Sequence, residues 1–402
     1  MRVSTPLMFQ LGSDAIQRAQ SDMLRTQQEI AAGKRMLAAS DDPVAASQAL
    51  MTRAARAEIG RLNSNVAAAK DALGFDDSIL GQISEVMQSV RTLAINAGNA
   101  ALSDADRRSL ASDAATRLEQ LLALANSRDA NGNYLYSGYE SATQPFASSG
   151  GAVTYNGDQG RRQIEVSPGR IIDLTENGSE LFEHVRTGNG TFVTDVAAAN
   201  AGSGIISVGT VTTPAALTGH TYTLQFNVSG GATTYDVLDV TAATTVSTGN
   251  AYTSGASISL AGMQFAISGT PANGDTFTVA PSTSQSVFTT LKQLVSTLQA
   301  PGGSPAASAQ LTNGLSHVLQ NVDQALEHVL TARTDVGAKL RELDVLGDGN
   351  DGRNLQYEQE LSRLEDLDYS KALSHFTQQQ AALEAAQRSF LKVTGLSLFD
   401  LL

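Results

Sequence analysis

Residues 59–97 read IGRLNSNVAAAKDALGFDDSILGQISEVMQSVRTLAINA, and their spacing decides the fold. Ile59, Val66, Leu73, Leu80, Met87 and Ala94 recur every seventh residue, with Leu62, Ala69, Ile83, Val90 and Ala97 three places on. Only Asp76 interrupts the second set. Apolar residues at this spacing make a seam along one face of a helix, and water drives another helix to cover it. Upstream, Asp41-Asp42-Pro43 predicts the helix start, with Asp42 as N-cap and Pro43 at the first helical position. No proline occurs from Val44 to Gln144. A helix over that first stretch to Ala97 would be roughly 80 Å long at about 1.5 Å per residue, a rod rather than an element of a compact domain.

The covering helix is expected near the other end, where no proline occurs from Ala306 to Leu402. Leu315, Val322, Val329, Val336 and Leu343 hold a second heptad, with Leu311, Val318, Ala325, Ala332 and Leu346 beside them. The predicted rod core is therefore Ile59, Val66, Leu73, Leu80 and Met87 against Leu315, Val322, Val329, Val336 and Leu343. Gly347-Asp348-Gly349-Asn350-Asp351-Gly352 predicts a turn that ends this second rod helix. Outside the rod, Phe9, Ile16, Met23 and Ile30 recur every seventh residue, and Tyr369, Phe376, Leu383 and Phe390 mirror them. Small companions, Gly12, Ala19 and Thr26 on one side and Ala372, Ala386 and Val393 on the other, permit close approach. Two such helices alone have too little core to be stable, so these eight residues are the expected assembly interface.

The middle has a different composition. Ser103, with Asp104 and Asp106 behind it, caps a helix carrying Leu110, Leu118, Leu121 and Leu122. Turn dipeptides Asn156-Gly157 and Pro168-Gly169 then separate strand-like runs at 163–166 and 170–174. From residue 187 to 291 there is no Lys or Arg. This stretch is rich in Thr, Ser, Gly and Val, with expected strands at 221–228, 234–240, 263–267 and 276–279. The fold class that follows is mainly α with a β insert: long terminal helices paired as a coiled-coil rod, hairpins, and a small antiparallel β domain. Three domains are expected: 1–42 with 363–402 for assembly, 43–186 with 282–362 as the rod, and 187–281 as an outer insert.

Charge and composition exclude several functions. A net charge of −13 over 402 residues argues against nucleic acid and anionic membranes as partners. With no Cys, disulfides, thiolate zinc sites and cysteine nucleophiles are out. The opening MRVSTPLMFQLGSDAIQ lacks an apolar h-region and predicts no cleaved secretory signal, and no run approaches the roughly 20 apolar residues of a membrane span. Of the histidines, His317 and His328 share a helix face but stand about three turns apart, too far for one metal ion. No HExxH or GxSxG occurs. Asp348–Gly352 fails as a calcium loop, because Arg353 takes the glycine position and Gln359 that of the bidentate glutamate. Gly33-Lys34 lacks a phosphate-loop partner glycine. No catalytic, cofactor or metal residue is expected, and the chain does not read as an enzyme.

Three stretches resemble the flagellin superfamily. Glu29-Ile-Ala-Ala-Gly-Lys-Arg-Met-Leu-Ala-Ala-Ser-Asp-Asp-Pro-Val44 is similar to the N-terminal segment of bacterial flagellins. Ala332-Arg-Thr-Asp-Val-Gly-Ala338, Glu365-Asp-Leu-Asp-Tyr-Ser370 and Leu396-Ser-Leu-Phe-Asp-Leu-Leu402 are similar to the C-terminal ones. Asn131-Gly-Asn-Tyr-Leu-Tyr-Ser-Gly138, Gln144-Pro-Phe146 and Val153-Thr-Tyr-Asn-Gly-Asp158 narrow the likeness to the hook-associated protein 3 family of hook–filament junction proteins. The resemblance implies a structural part of the bacterial flagellum, placed outside the cell and exported without a cleaved signal peptide. It implies as partners other copies in a ring, the neighbouring hook-associated junction protein, flagellin, an export chaperone and the flagellar export apparatus. Filament flagellin is the alternative reading, and a secreted coiled-coil adhesin a more distant one.

Overall fold

The computed structural model describes residues 5–149 and 151–399, without the side chains of 5, 6, 8 and 393–399. The family-like C-terminal segment therefore lies partly outside the described residues. The helices, in chain order, are α1 (Thr5–Ala32), α2 (Pro43–Ala97), α3 (Asp104–Ala125), α4 (Gly178–Phe182), α5 (Val287–Gln299), α6 (Pro305–Glu365) and α7 (Tyr369–Phe399). Chain contacts divide them into two compact units. One joins the chain's ends, up to Val66 and from Val345; the other runs Ala67–Asp344.

Local chemistry explains the helix starts. Asp42 Oδ1 accepts from the Ala45 N–H at 3.0 Å, and Pro43 follows as the first helical residue. Ser103 and Asp106 form a reciprocal capping box at the head of α3. The buried face of α3 is made by Ala111, Ala114, Leu121 and Ala125, while Leu110, Leu118 and Leu122 are only partly buried. Its small face lets α5 lie close. α5 was not anticipated by sequence; it buries Val287, Phe288, Leu291, Leu294 and Leu298, and it packs on α3.

The expected turn at Gly347–Gly352 does not form. α6 passes through it without a break to Glu365. Each interior glycine costs about 1 kcal/mol against alanine, and side-chain contacts to α2 offset that. Asn63 donates to Asp351 Oδ1 at 2.7 Å, Arg56 donates to Asn354 Oδ1 at 3.2 Å, and Arg56 also pairs with Glu358. In the other unit α2 and α6 meet through Lys70–Asp344 at 2.7 Å, Asp77–Arg333 at 3.0 Å and Arg91–Asp323 at 2.6 Å. The partner number on α6 falls as the number on α2 rises, so the two helices run antiparallel.

Between α3 and α5 lie two hairpins, Phe146–Ser149 with Ala152–Tyr155 and Gln163–Ser167 with Arg170–Asp173. Phe146, Tyr155, Phe182 and Phe288 stack into one aromatic cluster, with ring centroids 5.1 to 5.7 Å apart. The insert is a five-stranded antiparallel sheet beside a smaller one. Its larger sheet runs in the order Thr244–Ala251, Ala232–Asp239, Tyr222–Ser229, Thr276–Pro281, Phe192–Val196. In the smaller sheet Met263–Ser268 pairs with Ser257–Leu260 and with two short strands at 205–206 and 210–211. Leu224, Phe226, Ile267, Phe277 and Val279 fill the space between them with no exposed surface.

The insert is held on α6 by side-chain amides, two of them buried. Asn321 Oδ1 accepts from the Gly188 N–H at 2.8 Å. Asn313 accepts from the Ile206 N–H at 3.0 Å and donates to the Gly204 carbonyl at 3.0 Å. Gln310 donates to the Ala197 carbonyl at 2.9 Å. The Asn321 and Asn313 bonds satisfy backbone groups at the edge of the insert that water no longer reaches, and Gln310 adds a partly buried one.

Candidate functional site

The candidate site is the pair of chain ends, α1 and α7, with the loop that follows α1. Gly33 ends α1 in the left-handed region at φ 68°, which a glycine adopts without strain. A Cβ there would also lie 2.9 Å from the Tyr369 hydroxyl, so the tyrosine needs the bare glycine. Beyond it the chain is stitched to the end of α6 and the linker that leads into α7. Arg35 N–H donates to the Glu365 carbonyl at 2.8 Å, Leu367 N–H donates to the Gly33 carbonyl at 3.1 Å, and Lys34 bridges Asp366. Arg53 and Lys34 converge on the Glu365 carboxylate at 2.5 and 3.6 Å. The two segments that carry the family likeness at either end of the chain are thus one structural joint.

Asp41 shapes the loop. Its carboxylate accepts from the N–H groups of Ala38 and Leu37 at 2.9 and 3.0 Å and meets Arg25 at 3.0 Å. Those two backbone donors first, and Arg25 with them, hold its pKa below the usual aspartate value. Asp368 caps α7 by accepting from the N–H groups of Lys371 and Ser370, and the Lys371 N–H first, with its ammonium, lowers the Asp368 pKa likewise.

The predicted interface residues meet each other within the chain. Phe9 and Phe390 pack edge to face, with centroids 5.1 Å apart at 75°. A Cβ on Gly12 would lie 2.7 Å from the Phe390 ring, so the absent side chain makes room for it. Thr26, Ala372 and Leu383 are buried. Ile16, Met23, Ile30, Phe376 and Phe390 are partly buried, while Phe9 and Tyr369 remain 46% and 57% exposed. Leu7, Leu11, Leu24 and Leu373 stand about half exposed. The sequence reading missed these four because they fall outside the heptad register.

The ten rod residues are placed differently. Ile59 and Val66 lie in the unit of the chain ends, and Leu73, Leu80, Met87, Leu315, Val322, Val329, Val336 and Leu343 in the other, none above 5% exposed. Among the described residues no group of His, Asp and Glu is placed to hold a metal ion, and no helix is long and apolar enough to cross a membrane.

Comparison with known proteins places this architecture. The family model for the bacterial flagellin N-terminal helical region matches residues 3–141. The chain is 26% identical to flagellar hook-associated protein 3 of Escherichia coli K12 over 401 residues, covering 100% of this chain and 99% of that one. The crystal structure of FlgL from Xanthomonas campestris superposes with a TM-score of 0.72 at 33% identity, covering 77% of this chain and 99% of that one. The flagellar junction protein FlgL of Legionella pneumophila gives a TM-score of 0.71 at 29% identity, covering 79% and 100%. At 33% identity to a relative that it spans almost completely, the chain belongs to the FlgL, or flagellar hook-associated protein 3, family.

Proposed function

We propose that the chain is a structural subunit that joins the hook region of the bacterial flagellum to the flagellin filament, assembling through its paired terminal helices. The observation that carries the reading is the half-closed seam: α1 and α7 pack on each other, yet Leu7, Leu11, Leu24, Leu373 and Tyr369 keep large apolar surfaces in water. A two-helix pair in this state gains by recruiting neighbours. Phe9, Ile16, Met23, Ile30, Tyr369, Phe376, Leu383 and Phe390 then fix the pair, and the leucines outside their register supply contacts to adjacent copies. On this reading residues 1–42 with 363–402 assemble, 43–186 with 282–362 form the rod, and 187–281 form the outer insert. The partners are further copies in a ring, the neighbouring hook-associated junction protein, flagellin, an export chaperone and the export apparatus. The place of work is outside the cell, and the role involves no catalysis.

Deleting the gene tests this directly. Electron microscopy is expected to show hooks without filaments and flagellin released to the medium. Complementation with Leu11→Asp/Leu373→Asp is expected to give a folded, exported subunit that fails to attach filaments. A deletion strain that keeps its filaments attached would overturn the reading, and one that retains a complete junction but lacks the filament itself would favour filament flagellin.

A further inference from the structure

One carboxyl group sits where the rod should be apolar. Asp76 takes a seam position on α2 and has no exposed surface. Tyr136, itself fully buried, donates its hydroxyl to Asp76 Oδ1 at 2.8 Å. Among the described residues Asp76 Oδ2 has no hydrogen-bond partner. A lone charged oxygen in such a place is far more costly than a neutral one.

The cations around it are already engaged with other carboxylates. Beside it on α2 lies Asp77, held by Arg333 of α6 at 3.0 Å. From the segment before α4 comes Glu176, and from α6 comes Lys339, which is engaged with Glu176 at 2.8 Å. Arg161 also approaches Glu176, at 3.9 Å. Burial first, with Glu176 and Asp77 adding to it and the Tyr136 hydroxyl and Lys339 opposing, pushes the Asp76 pKa up from 3.8 to about 7.

Tyr136 links this group to a whole segment. Its ring meets Phe182 edge on at 5.5 Å, and its carbonyl accepts from the Tyr155 hydroxyl at 3.0 Å. Asn126 clasps Phe146 through both its amide atoms, at 2.9 and 3.0 Å. We propose that the Asp76 carboxyl is a proton-gated latch, which holds residues 131–182 against α2 while neutral and loosens them when it ionises.

The sign follows from which state holds the proton. The folded chain binds it more tightly than the unfolded one, so the stabilisation is complete below pH 3.8 and lost as pH rises towards about 7. Over that window one proton separates the two states, which lowers the docking equilibrium by about tenfold per pH unit.

Amide hydrogen exchange on the full-length protein tests the latch. Protection factors of residues 131–182, corrected for intrinsic exchange, are expected to fall about tenfold per unit from about pH 5 to about pH 7 and then to level off. Asp76→Asn, which keeps the acceptor for Tyr136, is expected to abolish that slope. Should Asp76→Asn fold poorly, Asp76→Leu/Tyr136→Phe removes both polar partners together and is expected to fold with a flat profile. Tyr136→Phe alone removes a bond that favours the ion, and is expected to carry the slope to higher pH. A flat profile in the parent protein, or an unchanged slope in Asp76→Asn or the double variant, would overturn the proposal.

Discussion

The rod seam and the terminal seam share a seven-residue spacing, yet they end in different states. Of the ten heptad residues from Ile59 to Met87 and from Leu315 to Leu343, none exceeds 5% exposure. Along α1 and α7 only Leu383 of the eight seam residues is buried, and Phe9 is 46% exposed. The apolar spacing is no weaker at the ends; coverage is what differs. The unit Ala67–Asp344 adds α3, α5 and an aromatic cluster to its long helices, whereas α1 and α7 have each other. A heptad states which face of a helix is apolar. It does not state how many neighbours will cover it, and that number separates a closed core from a surface that awaits a partner.

The largest test of the contrast places one charge in each seam environment. Leu80→Asp sets a carboxylate where no surface is exposed, and it is expected to cost about 3–5 kcal/mol, enough to unfold the rod. Leu373→Asp, at a side chain 58% exposed, is expected to shift stability by about 0.5 kcal/mol or less. Chemical denaturation of the purified proteins reads both. Equal losses would break the comparison, since they would mean that the terminal surface is already a core.

How far the sequence carried these distinctions depended on whether each signal was local. The starts of α2 and α3 were legible because Asp42-Pro43 and Ser103 with Asp106 act within one turn of chain. The stop expected at Gly347–Gly352 was wrong because turn chemistry lost to distant partners, Asn63 and Arg56 on α2. α5 was hidden by its β-branched composition, VFTTLKQLVSTLQ; as a helix it packs on α3 and buries Phe288, Leu291, Leu294 and Leu298, with Phe288 in the aromatic cluster. The strand Thr244–Ala251 carries no alternating apolar pattern, and only its pairing with Ala232–Asp239 defines it. At the candidate site the heptad residues were legible. The exposed leucines were not, because exposure depends on what is absent from the chain.

The insert extends the comparison to a third kind of contact, polar rather than apolar. Removing an amide from the α6 face strands backbone groups that water cannot reach. Asn313→Ala leaves the Ile206 N–H and the Gly204 carbonyl unpaired, and a loss of about 1–3 kcal/mol in insert docking is expected. Hydrogen exchange across residues 187–281 reads it, with the rod amides as reference. Unchanged exchange in Asn313→Ala would show that the insert is held by its apolar contacts alone.

At the terminal pair the corresponding loss is smaller and local. Phe390→Ala deletes the ring that meets Phe9, a contact between partly exposed side chains, so about 1–2 kcal/mol is expected. The loss should appear as faster exchange along α1 and α7 with no change in the rod. A matching loss of rod protection would mean that the terminal pair and the rod unfold as one, against the division drawn from their burial.

The smallest effect separates close packing from open helix surface by making one substitution at two sites. Gly60 on α2 has no atom within 4 Å of a built Cβ, so Gly60→Ala gains the helix preference of alanine, about 1 kcal/mol, unopposed. Gly12→Ala on α1 gains the same term but drives its methyl to 2.7 Å from Cδ2 and 3.0 Å from Cε2 of Phe390. Phe390 is only partly buried, so the ring can move; its edge-to-face contact with Phe9 at 5.1 Å resists the movement. Overpacking costs typically run to about 1–3 kcal/mol, which meets or exceeds the helix gain. The expected signs are therefore opposite: Gly60→Ala raises the denaturation midpoint, and Gly12→Ala speeds exchange along α1 and α7. A stabilised Gly12→Ala would mean that the terminal helices have slack between them, and that the tight seam at Phe390 forms only when neighbouring copies press on it.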